Sequence, residues 1–137
     1  VRGVDEDTNA FDSVLTAMRM PRDTEEEQAE RTAAMQKGYK EATRVPLGTV
    51  EQCRAALELC LEMAKVADPQ MISDIGSGAL MAHAGAQAAA YNVRINLPHI
   101  EDEEFRKETL ESLDTLLSQS AELAAGVAAE VEKALTV

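Results

Sequence analysis

The residues able to do chemistry are few and widely spaced. Asp7 lies four residues before Phe11. On a helix whose Phe11 side faces the core, Asp7 falls at the core's edge. A carboxylate there can accept and pass on a proton, or simply stand solvated in a first turn. Asp74 follows Ser73 at the head of a Gly/Ala-rich run. It reads as a helix-start acid favoured by the helix dipole, or as a polar member of a site. Asn92 and Asn96 are four apart and share a helix face. With Tyr91 and Arg94 they close an otherwise apolar run, and either C-terminal capping or ligand contact accounts for them. His83 and His99 are sixteen apart on different elements, and the sequence has no Cys-x-x-Cys, no His-x-x-x-His and no Gly-rich phosphate loop. No metal centre is expected. Cys53 and Cys60, seven apart, share one helix face about 10 Å from each other. That is too far for a disulfide, so both are expected to pack as thiols in a reducing, cytoplasmic setting.

Helices must position these groups. Phe11, Val14, Leu15 and Met18 follow i, i+3, i+4, i+7 spacing, which predicts a first helix facing the core and ended by Pro21. Thr24 with Glu27 forms a capping box, so a second helix should run from there to about Arg44. Val45-Pro46-Leu47-Gly48 predicts a break or kink. Thr49, with Gln52, then caps a third helix with an apolar stripe of Val50, Cys53, Leu57, Cys60, Leu61 and Ala64, stopped by Asp68-Pro69. A fourth is expected from near Ser73 towards Asn96. Its glycines Gly76, Gly78 and Gly85 each cost about 1 kcal/mol against alanine, so a neighbouring helix or a ligand should lie close to its backbone. A last helix is expected from about Glu101 to Leu135, about 50 Å long. Its stripe is Phe105, Leu110, Leu113, Leu117, Ala121, Ala124, Val127, Val131 and Leu135, with Leu113, Leu117, Val127 and Val131 inward.

The 137 residues fit one domain, 1–137, of all-α class: an antiparallel bundle of about five helices with a long C-terminal helix. Hydrophobic residues are 45% and aromatic residues 3%. The core is therefore built from Ala, Leu, Val and Met, a set that favours helix over sheet. The net charge of −12 disfavours nucleic acid and anionic membranes. Residues 75–93 carry no Asp, Glu, Lys or Arg. Their Ala/Gly content and the internal His83, Gln87 and Asn92 favour a buried central helix over a membrane span. The long last helix and the Gly/Ala helix present more packing surface than short elements can cover, which predicts a homodimer or higher oligomer.

Several segments, in order, carry a family likeness: Asp7-Thr8-Asn9-Ala10-Phe11, Arg19-Met20-Pro21-Arg22, Thr24-Glu25-Glu26-Glu27, Val45-Pro46-Leu47, Ser73-Asp74 and Tyr91-Asn92-Val93-Arg94-Ile95-Asn96-Leu97. The chain resembles the formiminotransferase-cyclodeaminase C-terminal domain and the bacterial methenyltetrahydrofolate cyclohydrolases. The resemblance implies a dimer of helical bundles acting on a one-carbon unit carried by tetrahydrofolate, with no tightly bound cofactor. The activity implied is closure of 5-formiminotetrahydrofolate to 5,10-methenyltetrahydrofolate with release of ammonia; in the cyclohydrolase relatives it is interconversion of methenyl- and 10-formyltetrahydrofolate. Asp7, Ala10 and Phe11 match the family's Asp-x-x-Ala-Phe pattern, whose Asp is the proposed acid/base. Asp74, Asn92, Arg94 and Asn96 fall in segments typical of the family and are carried over as substrate-binding candidates.

The family opens on a Pro-Gly-Gly-Gly-Ser-like segment and a small-residue helix, and nothing in residues 1–12 resembles these. The expectation is a chain lacking the family's first helical segment, with a pocket short of one wall and little turnover. A non-catalytic dimerisation or folate-binding module is the competing reading. A single carboxylate suits the implied reaction, because ring closure is intramolecular and needs held geometry and a proton shuttle. Folate carboxylates would be repelled by the net charge, so cations must act locally. Arg19, Arg22, Arg31, Lys37, Lys40, Arg44 and Arg94 are the candidates.

Overall fold

The structure, a computed structural model, describes residues 11–136. Helix α1 covers residues 11–18, α2 Glu25–Ala64, α3 Ile72–Asn96 and α4 Glu103–Leu135, and a 3-10 turn, η1, spans Leu97–His99. There is no strand among the described residues. The expected bundle is observed, with four helices and η1 where about five helices were read. The difference lies at Pro46, where the predicted second and third helices are one helix, α2, of 40 residues. A proline inside a helix removes one hydrogen bond and costs about 3 kcal/mol. Tyr39, Ala42 and Thr43 before it and Val50 and Leu57 after it are buried on one continuous α2 face, and that packing outweighs the local penalty. Thr49 is thus no N-cap, and its hydroxyl donates back to the Val45 carbonyl at 3.3 Å.

The start of α2 is as expected. Thr24 Oγ1 accepts from the Glu27 N–H at 3.2 Å, and Glu27 Oε2 accepts from the Thr24 N–H at 3.1 Å. The core is aliphatic and falls into two clusters. One gathers Val14, Tyr39, Ala42, Val50, Ala86, Ala90, Val93, Leu97 and Leu113. The other gathers Leu57, Ala64, Ile72, Ile75, Ala79 and Val127. On α4 Leu113 and Val127 are buried and Leu117 and Val131 half-buried, whereas Leu110, Ala121 and Leu135 of the expected stripe are exposed. That helix begins at Glu103, because Asp102 takes the N-cap. Cys53 and Cys60 are unpaired and half-buried, and burial pushes the Cys53 thiol up.

Helix α1 presents Val14 and Ala17 inward, while Phe11 and Met18, expected to face the core, are 53% and 42% exposed. The cause is where α1 crosses α2. A Cβ on Gly38 would lie 3.0 Å from Val14 Cγ2 and 3.2 Å from its backbone nitrogen. The two backbones therefore meet there, and among the described residues it is the Val14 side of α1 that is covered. Close approach also explains two of the α3 glycines, since a Cβ on Gly76 would lie 3.0 Å from Val131 Cγ2 and one on Gly85 3.2 Å from Cys53 Sγ. Gly78 faces open space. Among the described residues no helix is long and apolar enough to cross a membrane.

Candidate functional site

The corner between α3 and α4 is held to α2 by several side-chain contacts. Leu97 and Ile100 are buried and anchor it. Three α2 residues spaced i, i+3, i+4 then fasten it. The Gln36 amide donates to the His99 carbonyl at 2.9 Å and accepts from the Glu101 N–H at 2.8 Å. The Tyr39 ring stacks on His99, with centroids 4.7 Å apart. Lys40 Nζ lies 2.7 Å from Asp102 Oδ2. Asp102 also accepts from the Phe105 N–H at 3.0 Å. The Lys40 hydrogen bond, and then this N-cap bond, hold the Asp102 carboxyl below the usual carboxylate range. The Lys40 ammonium and the Arg44 guanidinium both stand over the Phe105 ring, at 5.4 and 5.3 Å.

This corner presents an open groove of about 460 Å³ lined by Arg94, Leu97, Pro98, Arg106 and Leu110. Its two guanidiniums are held only loosely. Arg94 lies 3.6 Å from Asp114, and Arg106 lies 3.7 Å from Glu103. Asp114 and Glu103 are well exposed and the two arginines partly so, so each pair is weak and each arginine is able to turn to an anion. In a chain of net charge −12, this is a local positive rim around an apolar floor. It suits an organic ligand with carboxylates. Arg106 was missed in the sequence because its pairing with Arg94 depends on which helices meet at the corner. Its i, i+4 spacing to Leu110 was the available signal.

The other candidates are dispersed. Asp7 lies outside the described residues. A second groove, of about 380 Å³, lies beneath α1 between Asp12, Ser13, Thr16, Lys37 and Glu41. Asp74 is exposed in the first turn of α3. Eighteen residues of helix, about 27 Å, separate it from Asn92. Asn92 and Arg94 thus lie near one end of α3, where Arg94 but not Asn92 lines the groove, and Asp74 lies at the other end. Asn96 is half-buried, and its Nδ2 donates to the Ala42 carbonyl at 2.9 Å. Arg31 donates to the Met18 carbonyl at the end of α1. Lys40 and Arg44 serve the corner. His83 Nδ1 is buried without a hydrogen-bond partner, and no cluster of three His, Cys, Asp or Glu able to hold a metal is present among the described residues.

The sequence profile of the formiminotransferase-cyclodeaminase family matches residues 1–115. A methenyltetrahydrofolate cyclohydrolase from Methylorubrum extorquens is 38% identical over 118 residues, which are 86% of this chain and 57% of that protein. The formimidoyltransferase-cyclodeaminase of Gallus gallus is 36% identical over 130 residues, 95% of this chain and 24% of that protein. Among solved structures, the formiminotetrahydrofolate cyclodeaminase of Thermotoga maritima superimposes with a TM-score of 0.83 at 28% identity, over 96% of this chain and 62% of that one. The chain thus spans about three fifths or less of each of these proteins. With its helices superimposing on the solved relative and the family profile matching residues 1–115, this chain belongs to the formiminotransferase-cyclodeaminase family.

Proposed function

We propose that the chain belongs to a helical domain that makes 5,10-methenyltetrahydrofolate from 5-formiminotetrahydrofolate. The family match across residues 1–115 carries this reading. N10 attacks the formimino carbon and a C–N10 bond forms. The bond from that carbon to the terminal nitrogen breaks. The N10 proton and one proton from solvent travel to the departing nitrogen, which leaves as ammonia, and the product is the methenyl cation. Asp7 is the proton shuttle. An ionised aspartate accepts readily at neutral pH, and a carboxyl needs burial to become a good donor. Asn92 and Arg94 bind substrate, with Arg94 and Arg106 meeting its glutamate carboxylates at the groove rim. The reaction calls for no metal and no tightly bound cofactor.

A second reading, methenyltetrahydrofolate cyclohydrolase, draws support from the 38% identity to the Methylorubrum protein. Both readings predict the same dependence on Asp7. Asp7→Asn keeps the side chain's shape and removes its basic oxygen. In a domain of the relatives' full length it should lower turnover by about 10²–10⁴, with folate affinity and melting temperature little changed. The absorbance of methenyltetrahydrofolate reports the rate from 5-formimino- and from 10-formyltetrahydrofolate, and the faster substrate separates the two readings. Near-full turnover by Asp7→Asn removes the shuttle assignment.

The reading includes self-association in the cytoplasm. The outer side of α3 supplies an apolar surface, exposed at Met81, Ala84, Ala88, Tyr91 and Ile95. Asp74 stands at its N-terminal end and Arg94 at its C-terminal end, so two copies pairing antiparallel along α3 bring opposite charges together.

A further inference from the structure

Pro46 has no N–H, so the Ala42 carbonyl, four residues earlier in α2, loses its helical donor. Both residues are buried, and water is a poor substitute at such a place. A buried carbonyl left unpaired is costly. The Asn96 side chain, from the last turn of α3, donates Nδ2–H to this same carbonyl at 2.9 Å. Asn96 is 54 positions away along the chain, so the bond is tertiary in origin.

We infer that Asn96 is a positioning residue. It returns to α2, from outside, the single hydrogen bond that Pro46 takes away, and in doing so locks the last turn of α3 in register against the middle of α2. The side chain suits the task. It must be short enough to act from a helix whose Val93 and Leu97 are already packed inward, and it must carry an N–H. Aspartate has the shape without the donor, leucine has neither donor nor acceptor, and glutamine is one methylene too long. Hydroxyls flank the proline on the same helix. Thr43 donates to the Tyr39 carbonyl at 2.7 Å and Thr49 to the Val45 carbonyl at 3.3 Å, and such back-bonds accompany helix bends. Neither reaches Ala42, whose carbonyl is served from α3. The role stands apart from the folate reading, and it sets Asn96 aside from Asn92 and Arg94, whose positions it holds.

The test is a thermal double-mutant cycle on the 137-residue chain between positions 46 and 96. With Pro46 present, Asn96→Leu and Asn96→Asp should each lower the melting temperature by about 3–8 °C. Pro46→Ala restores a backbone donor to the Ala42 carbonyl, and in that background the same substitutions should cost about 1 °C or less. Equal losses in both backgrounds overturn the proposal. A second measurement covers the case in which the variants fold poorly. In the unaltered chain, amide NMR should show the Asn96 side-chain protons exchanging slowly with solvent. Exchange as fast as in an exposed asparagine also overturns the proposal. Asn96→Leu that leaves stability unchanged and abolishes tetrahydrofolate binding returns Asn96 to the ligand set, against the inference.

Discussion

Ile75, Ala79, Ala86, Ala90 and Val93, on one side of α3, are buried against the rest of the bundle, whereas Met81, Ala84, Ala88, Tyr91 and Ile95, on the other side, are exposed. The two sides hardly differ in hydrophobicity. Residues 75–93 carry no Asp, Glu, Lys or Arg on either. Helices with one solvated face normally show a polar stripe, and α4 does, with Asp114, Ser118 and Glu122 exposed opposite Leu113 and Val127. An apolar outer side on a helix of this length is the kind of surface the self-association proposed above would cover. The outer residues recur at 81, 84, 88, 91 and 95, the three-four alternation of a helix–helix seam. The comparison thus separates residues buried within this chain from the exposed apolar residues that the proposed self-association would cover.

Aspartate substitutions on the two sides should break the comparison most clearly. Val93 is fully buried. Val93→Asp places an unpaired carboxylate in the core and should destabilise by about 4 kcal/mol or more, leaving a chain unfolded by circular dichroism at 25 °C. Ala88→Asp changes an exposed position and should cost only about 0.5–1 kcal/mol through helix propensity. Its effect should appear in assembly. Sedimentation of the unaltered chain at micromolar concentration should show a dimer or larger species, and Ala88→Asp should shift it to monomer with helicity retained. A stable monomer before substitution would remove the self-association proposal, and a loss of helicity in Ala88→Asp would mean that the outer side belongs to the fold.

The glycines sharpen the same contrast on a smaller scale. Gly78 has open space where a Cβ would stand, and Gly76 has Val131 Cγ2 at 3.0 Å. Gly78→Ala should stabilise by about 0.5–1 kcal/mol, since alanine is the better helix former. In Gly76→Ala the displacement of Val131 offsets that gain. Urea melts should therefore give a higher midpoint for Gly78→Ala alone. A drop for Gly78→Ala would show that its side of α3 is already in close contact in solution.

The features legible in the sequence are those that depend on neighbours along the chain. Thr24 with Glu27, the stop at Asp68-Pro69 and the inward set on α4 are local patterns, and each is in place. Pro46 misled because its penalty is local while its compensation is not. The burial of Tyr39, Val50 and Leu57 on one face and the Asn96 amide become visible only after α3 docks. Phe11 misled for a related reason, since the approach at Gly38 decides which side of α1 is covered. Of the candidate site, Asn92 and Arg94 were legible as polar residues ending an apolar run. The groove was not, because Arg106 joins Arg94 only through the turn at Leu97-Pro98.

The smallest effect concerns the corner that carries this groove. Lys40 and Asp102 join α2 to the start of α4 at 2.7 Å, both partly exposed, so the pair alone contributes little. Asp102 is also the N-cap of α4, and its carboxyl is held below the ordinary carboxylate range, first by the Lys40 hydrogen bond and then by the Phe105 N–H. A carboxyl depressed in the folded state stabilises that state above the unfolded pKa of about 3.9 and loses this contribution as pH falls through the lower folded value. Stability should therefore be unaffected by Asp102 between pH 8 and 6 and should decline on acidification through the carboxylate range. Asp102→Asn keeps an oxygen for the cap and removes the titration. Its melting temperature should lie slightly below that of the unaltered chain at pH 7, and the two should converge as the pH falls below 4. A difference that stays constant across this range would show that the cap, and not the charge, carries the contribution of Asp102 to the corner.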